Sequence, residues 1–259
     1  MPHSKVVEES EKKLTEYKDK LKTDAEHLVL TVFPQKVLEL NELVNSPQFS
    51  SGRVSEIICD TGIPEPEQLL ALTGKTASEK NHVLPPVVKK VKIGSDLDGT
   101  IEGTKVMGFV TGTIPSNSHV MELIDVVKPI VRDTVENVNK LKMWISFLIP
   151  RIEDGNNFGV SIQEDTLAEV RTVEAEAASF LDQISRYLLT RGRIITKIAK
   201  YPHVEDYRLA VQDLDEKEFL NLRLVLMEIR NHYGTLHDII LKNLDKIKKP
   251  RTSNAEHLY

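Results

Sequence analysis

A single cysteine, Cys59, stands in 259 residues. No intramolecular disulfide and no zinc cluster built on thiolates can therefore hold the chain together, and a reducing compartment is favoured. Aromatic residues make up only 5%, so strand-forming character is low. No apolar run approaches the roughly 18 residues that a bilayer span requires. Met1 to Glu11 is polar, without the apolar segment of a secretory leader. Neither membrane insertion nor secretion is expected. An excess of basic charge is missing too. With 34 Lys and Arg against 39 Asp and Glu, the formal charge is -5, which gives nothing to draw the whole chain to nucleic acid or to an anionic surface. What is present is 40% hydrophobic and 28% charged residues, enough for a globular core in one large domain or two small ones.

The hydrophobic residues are spaced for helices. From Leu14, the residues Tyr17, Leu21, Ala25, Leu28 and Val32 recur every three or four positions, the period of an amphipathic helix. Pro34 is expected to kink or end it, and Val37 to Val44 carry the pattern on to Ser46-Pro47. Residues 1–63 thus read as a first helix kinked near Pro34. Between Pro64 and Pro115 the period dissolves, and half of the twelve glycines fall there. Residues 64–117 read as a flexible insert that projects from the fold. Asn117 or Ser118 caps a second helix, whose face from Val120 to Leu148 runs to Pro150, with a kink expected at Pro129. Ser161-Ile162-Gln163-Glu164 reads as the capping box of a third helix ending at Tyr201-Pro202. A fourth runs from near His203 to Pro250. Residues 118–250 complete one bundle, and 251–259 form a tail. The fold class is all-α: an elongated antiparallel four-helix bundle with a long insert between helices 1 and 2. From Asn221 to Ile229 apolar residues surround most of the fourth helix, so it needs two contact surfaces. Two neighbours within the bundle, or one neighbour and a second subunit, would supply them.

Catalytic motifs fail on context. Asp96-Leu97-Asp98-Gly99-Thr100 resembles the nucleophile loop of haloacid-dehalogenase phosphatases, which follows a buried strand and needs further α/β units. Here Lys89-Lys90-Val91-Lys92 precedes it and helices follow, so a solvated turn is the reading. His232 and His237 are five apart, turned roughly 140° from one another, which spoils an i, i+4 metal pair. No phosphate loop or nucleophile elbow occurs. Neither a catalytic site, nor a metal, nor a cofactor is expected, and a binding or assembly protein is.

Two long segments carry a resemblance. Trp144 to Glu164, with Pro150-Arg151-Ile152-Glu153-Asp154-Gly155-Asn156-Asn157-Phe158-Gly159 at its centre, closely resembles the activation-loop segment of the 11S proteasome activators. Lys197-Ile198-Ala199-Lys200-Tyr201-Pro202-His203-Val204-Glu205-Asp206-Tyr207 resembles their turn between the last two helices. The match extends from Leu14 to Tyr259 and looks closest to the gamma-type branch. The resemblance implies a homoheptameric ring that caps the α-ring of the 20S proteasome, opens its gate without ATP and admits protein or peptide substrates. Neither nucleic acid nor membrane is implied as a partner. A helical adaptor without a proteasome role is the alternative.

The resemblance also assigns residues. Arg151, Ile152, Glu153, Asp154, Gly155, Asn156, Asn157, Phe158 and Gly159 form the activation loop. Gly155 and Gly159 are expected to permit tight turns, and Asn156 and Asn157 to tolerate left-handed backbone. Glu256, His257, Leu258 and Tyr259 are the docking tail, whose carboxylate pairs with a proteasome lysine. The tail lies about 100 residues from the loop and is expected to dock independently of it. The branch is nuclear, with the cytoplasm as a second location, and Lys89, Lys90 and Lys92 stand where its basic signal would be. Arg193 and Lys197 are candidates for a basic channel lining.

Overall fold

A computed structural model describes residues 2–58, 60–65, 68 and 113–251. Most of the expected insert lies outside these residues, as do Lys89, Lys90, Lys92, the Asp96 to Thr100 motif and Glu256 to Tyr259. Among the described residues every regular element is a helix: α1 Pro2–His27, α2 Phe33–Val44, α3 Val54–Ile57, α4 Ser118–Leu148, α5 Phe158–Lys200 and α6 Glu205–Lys248. None is long and apolar enough to cross a membrane.

The chain groups into two compact units. The first comprises Met1–Arg53, Leu123–Ile184 and Leu220–Tyr259; the second comprises Val54–Glu122 and Ser185–Phe219. The division runs through α4, α5 and α6 and follows none of the boundaries at 63, 117 and 250.

Pro34 neither ends nor sharply breaks the first helix. A proline ring collides with the carbonyl four residues back, here Leu30, and removes one donor. The chain widens before it: Leu28–Val32 is a π-helical turn, and the Phe33 amide donates to the Leu28 carbonyl. Pro34 then occupies the first turn of α2, where a missing N–H costs least. In α4 the helix continues through Pro129.

Four helical stretches make the first unit, and paired residues give their directions. Phe33 stacks edge-on against Tyr233 with centroids 4.9 Å apart, and Arg223 donates to the Val44 carbonyl at 3.1 Å, so α2 and α6 are antiparallel. Lys142 bridges Glu174 at 2.6 Å and links α4 to α5. The Tyr233 hydroxyl donates to Thr134 at 3.2 Å and links α6 to α4. Trp144, Leu141, Ile145, Leu222, Leu226, Ile229 and Tyr233 are buried among them. This is the up-down-up-down bundle that the apolar periods predict.

In the second unit Ile63, Ile198 and Val211 form a core, joined by the half-buried Ile114, Ile194, Ile195 and Tyr207. Beside it, Asp215 is 1% exposed. It accepts hydrogen bonds from Asn117 Nδ2 at 2.8 Å, the Tyr187 hydroxyl at 2.8 Å and Arg191 Nε at 3.0 Å. Burial first, then the bond to Asp215, push the Tyr187 phenol well above its ordinary pKa, so it remains a donor. Asn117 is the N-cap foreseen for α4, its Oδ1 accepting from the Val120 amide at 3.2 Å. Its Nδ2 also donates to the Ile57 carbonyl at 2.8 Å. We expect Asp215→Ala to lower stability by about 3–5 kcal/mol in urea unfolding, because it strands a buried Arg191. A loss below about 1 kcal/mol would show that the network adds little.

Candidate functional site

The connection between α4 and α5 is short and constrained. Helix α4 stops at Leu148 before Pro150, whose preceding residue is disfavoured in helical conformation. Gly155 has φ 80° and Asn156 φ 50°, the left-handed backbone that glycine and asparagine tolerate best. Asn157 keeps a negative φ and donates instead from Nδ2 to the Glu153 carbonyl at 3.0 Å, closing the loop on itself. At its surface Ile152 is fully exposed and Phe158 is 76% exposed. Two large apolar side chains left in water beside one loop suit a surface that meets a partner.

Helix α5 begins at Phe158, three residues before the expected cap. Ser161 is already helical, its amide donating to the Asn157 carbonyl at 2.9 Å. The capping-box reading of Ser161 is thereby corrected. Gln163, the residue within that motif, has a different task. It is fully buried, and its Nε2 donates to the Leu148 carbonyl at 3.0 Å and the Ile247 carbonyl at 2.7 Å. Both carbonyls belong to last turns, where no intrahelical donor is available. One side-chain amide therefore ties the ends of α4 and α6 to the start of α5.

Gly159 is also reassigned. It lies in the first turn of α5, not in a tight turn, and a Cβ there would overlap the Pro250 backbone. Glycine at 159 is what lets the chain leaving α6 lie against the start of α5.

The root of the tail is consequently part of the loop. Arg251 Nη1 pairs with Glu153 Oε2 at 3.0 Å, and its Nη2 donates to Asn157 Oδ1 at 3.2 Å. Arg151 Nε meets the other Glu153 oxygen at 2.6 Å. The hydrogen bond from Arg151, then the charge of Arg251, hold the Glu153 carboxyl below its usual range. A carboxylate lowered in this way keeps its pairing at every pH above the ordinary carboxylate range and loses it only as pH falls through the depressed value. The latch is intact at neutral pH. Separation in sequence was a poor guide here: antiparallel packing returns the end of α6 to the start of α5, so Arg251, at the root of the tail, touches the loop. Arg251 to Glu153 is the contact that sequence reasoning missed. The one available signal was a charged residue immediately after a helix-ending proline.

The remaining candidates lie elsewhere. Arg193 and Lys197 are exposed on α5 in the second unit, four apart and so on one face. Lys197 Nζ also lies 5.8 Å from the Tyr201 ring centroid. His232 is buried and faces two glutamates of the first unit.

The chain matches the family descriptions "Proteasome activator PA28, N-terminal" over residues 8–68 and "Proteasome activator PA28, C-terminal" over residues 113–257. It is 48% identical over 255 residues to proteasome activator complex subunit 3 of Gallus gallus and 47% identical over the same length to that of Homo sapiens, covering 98% of both chains in each case. Among solved structures, the 11S subunit of the Plasmodium falciparum proteasome, PA28, shares the fold with a TM-score of 0.70 and 27% identity, over 95% of each chain. A chain in an archaebacterial 20S proteasome–PA26 complex shares it at TM-score 0.54 and 13% identity, covering 92% of this chain and 91% of that one.

Proposed function

Because the chain belongs to the proteasome activator PA28 family, we propose that it activates the 20S proteasome as a homoheptameric ring. It docks by Glu256 to Tyr259 and opens the α-ring entrance with the loop Arg151 to Gly159. Its function is proteasome activation, and its relatives are named as activator subunits, that is, as regulators. The helical-adaptor alternative is not favoured.

The bridge from Arg251 to Glu153 and Asn157 carries the mechanism. A tail seated on the proteasome pulls on a root that is itself fixed to the loop, so binding energy at the tail sets the position of Ile152 and its neighbours. Gln163 and Gly159 keep that root rigid. Gate opening then needs no nucleotide: the ring binds the open entrance more tightly than the closed one, and the population shifts by that difference. A single tail binds weakly, while several on one ring act at high effective concentration. Exposed Arg193 and Lys197 give the channel a basic lining, and Lys89, Lys90 and Lys92 serve nuclear entry.

Ring assembly is supported by apolar side chains that one chain leaves in water. In the first unit Leu38 is 66% exposed and Leu224 59% exposed, and they supply the second contact surface foreseen for the stretch 221–229. The native mass is expected near 205 kDa, about seven copies of 29.3 kDa. Leu224→Glu should collapse it to smaller species on native mass spectrometry, and an unchanged mass would remove Leu224 from the interface. The function itself is tested by adding the purified chain to latent 20S proteasome without ATP. Faster hydrolysis of a fluorogenic peptide supports it; no change at saturating concentration refutes it.

A further inference from the structure

Outside the loop and tail, one cluster of side chains in the first unit is arranged for chemistry that activation does not use. Glu228 and His232 stand four apart on α6, one turn above the other on the same face. Glu176 reaches them from antiparallel α5. His232 Nε2 is 3.1 Å from Glu176 Oε2 and 3.8 Å from Glu228 Oε1. One ligand atom from each residue lies within 4.8 Å of the other two.

We propose that Glu176, Glu228 and His232 bind a divalent first-row transition cation, with zinc as the ion the donor set fits. Bonds of about 2.1 Å in a tetrahedron place neighbouring ligand atoms about 3.4 Å apart, and 3.1 and 3.8 Å bracket that value. One imidazole nitrogen with two carboxylates is a donor set that zinc accepts. The second observation concerns the histidine. It is only 9% exposed, and its buried Nε2 makes no hydrogen bond although a carboxylate oxygen lies at 3.1 Å. The nitrogen thus has two carboxylates near it and a hydrogen bond to neither. A cation in that position satisfies all three groups, whereas a buried nitrogen left unsatisfied costs free energy. The glutamate side chains are 49% and 51% exposed, which gives the ion an entry path and leaves a fourth position to water. The bound ion would clamp α5 to α6. His237 takes no part, being turned away on the same helix.

The site lies thirteen residues along α5 from Gln163, about 20 Å at 1.5 Å per residue, so it can be altered without touching the loop. The test is a titration of the metal-stripped full chain with zinc chloride by calorimetry, with thermal unfolding in parallel. One saturable zinc per chain is expected, with a rise in Tm of about 5 °C at a hundredfold excess over Kd. Glu228→Gln, isosteric and half-exposed, should weaken binding by about 100-fold with circular dichroism unchanged. His232→Gln should do the same, and His237→Gln should leave affinity intact. Cobalt substituted for zinc should give the intense visible absorption of a four-coordinate ion, lost in Glu228→Gln. Zinc binding equal in wild type and Glu228→Gln would overturn the proposal. So would a Tm indifferent to zinc, which would make the cluster a plain ion pair.

Discussion

Removing Leu258 and Tyr259 should abolish stimulation of the 20S proteasome while the native mass stays near 205 kDa, about seven chains. The expectation rests on where the chain leaves the bundle. Helix α6 ends at Lys248, and Ile247 is its last fully buried residue. Pro250 and Arg251 are fixed by Gly159, Glu153 and Asn157. The last two residues of this sequence lie seven and eight positions beyond that anchor, past the end of the last helix, so folding and assembly should not notice their loss. Docking should. When each tail supplies only weak affinity, removing the same contact from every copy multiplies the loss across the ring. Sedimentation with 20S proteasome and peptide hydrolysis are the two measurements. A truncated ring that still stimulates hydrolysis would sink the docking role, and loss of the assembly would mean that these residues pack against a neighbouring chain.

Asn156→Tyr should separate binding from activation. Asn156 sits at φ 50° beside Gly155 at φ 80°, and a tyrosine there costs about 1–2 kcal/mol of backbone strain. That strain is local, because Gln163 and Pro150 fix the helices on either side. The Arg251 bridge uses Glu153 and Asn157, not residue 156, so the tail root keeps its anchor. What changes is the shape that the loop offers to its partner. A shift near 1 Å in a positioned contact can cost about 100-fold. The variant ring should therefore sediment with the proteasome, fail to stimulate it at saturation, and compete with the wild type. Normal stimulation by Asn156→Tyr would reduce the loop to a connection.

Local patterns made the bundle legible from sequence. The apolar face from Val120 to Leu148, the stop at Pro150 and the cap at Asn117 are each written within a few residues, and each has its counterpart in α4. Of the two asparagines expected to tolerate left-handed backbone, Asn156 adopts it and Asn157 does not, while Gly155 joins it there. Non-local contacts were not legible. Ser161 to Glu164 satisfies the pattern of a capping box, but Gln163 is more useful 15 and 84 positions away, and no window of sequence carries that information. Gly159 looks like a turn residue until Pro250 is placed beside it. Glu228 and His232 are spaced to share one helix face, but Glu176 comes to them from another helix, which no window of sequence displays.

The two roots of the 64–117 segment have a consequence for how the chain tolerates change. Arg208 donates to the Ile63 and Pro64 carbonyls at 3.0 and 2.9 Å, and Arg191 Nη1 donates to the Pro115 carbonyl at 3.3 Å. Entry and exit are thus clasped by separate guanidinium groups. For a flexible connection the closure cost grows only with the logarithm of its length, about 0.6 kcal/mol per doubling. A foreign peptide or small domain grafted between Pro64 and Pro115 should therefore leave the helices folding as before.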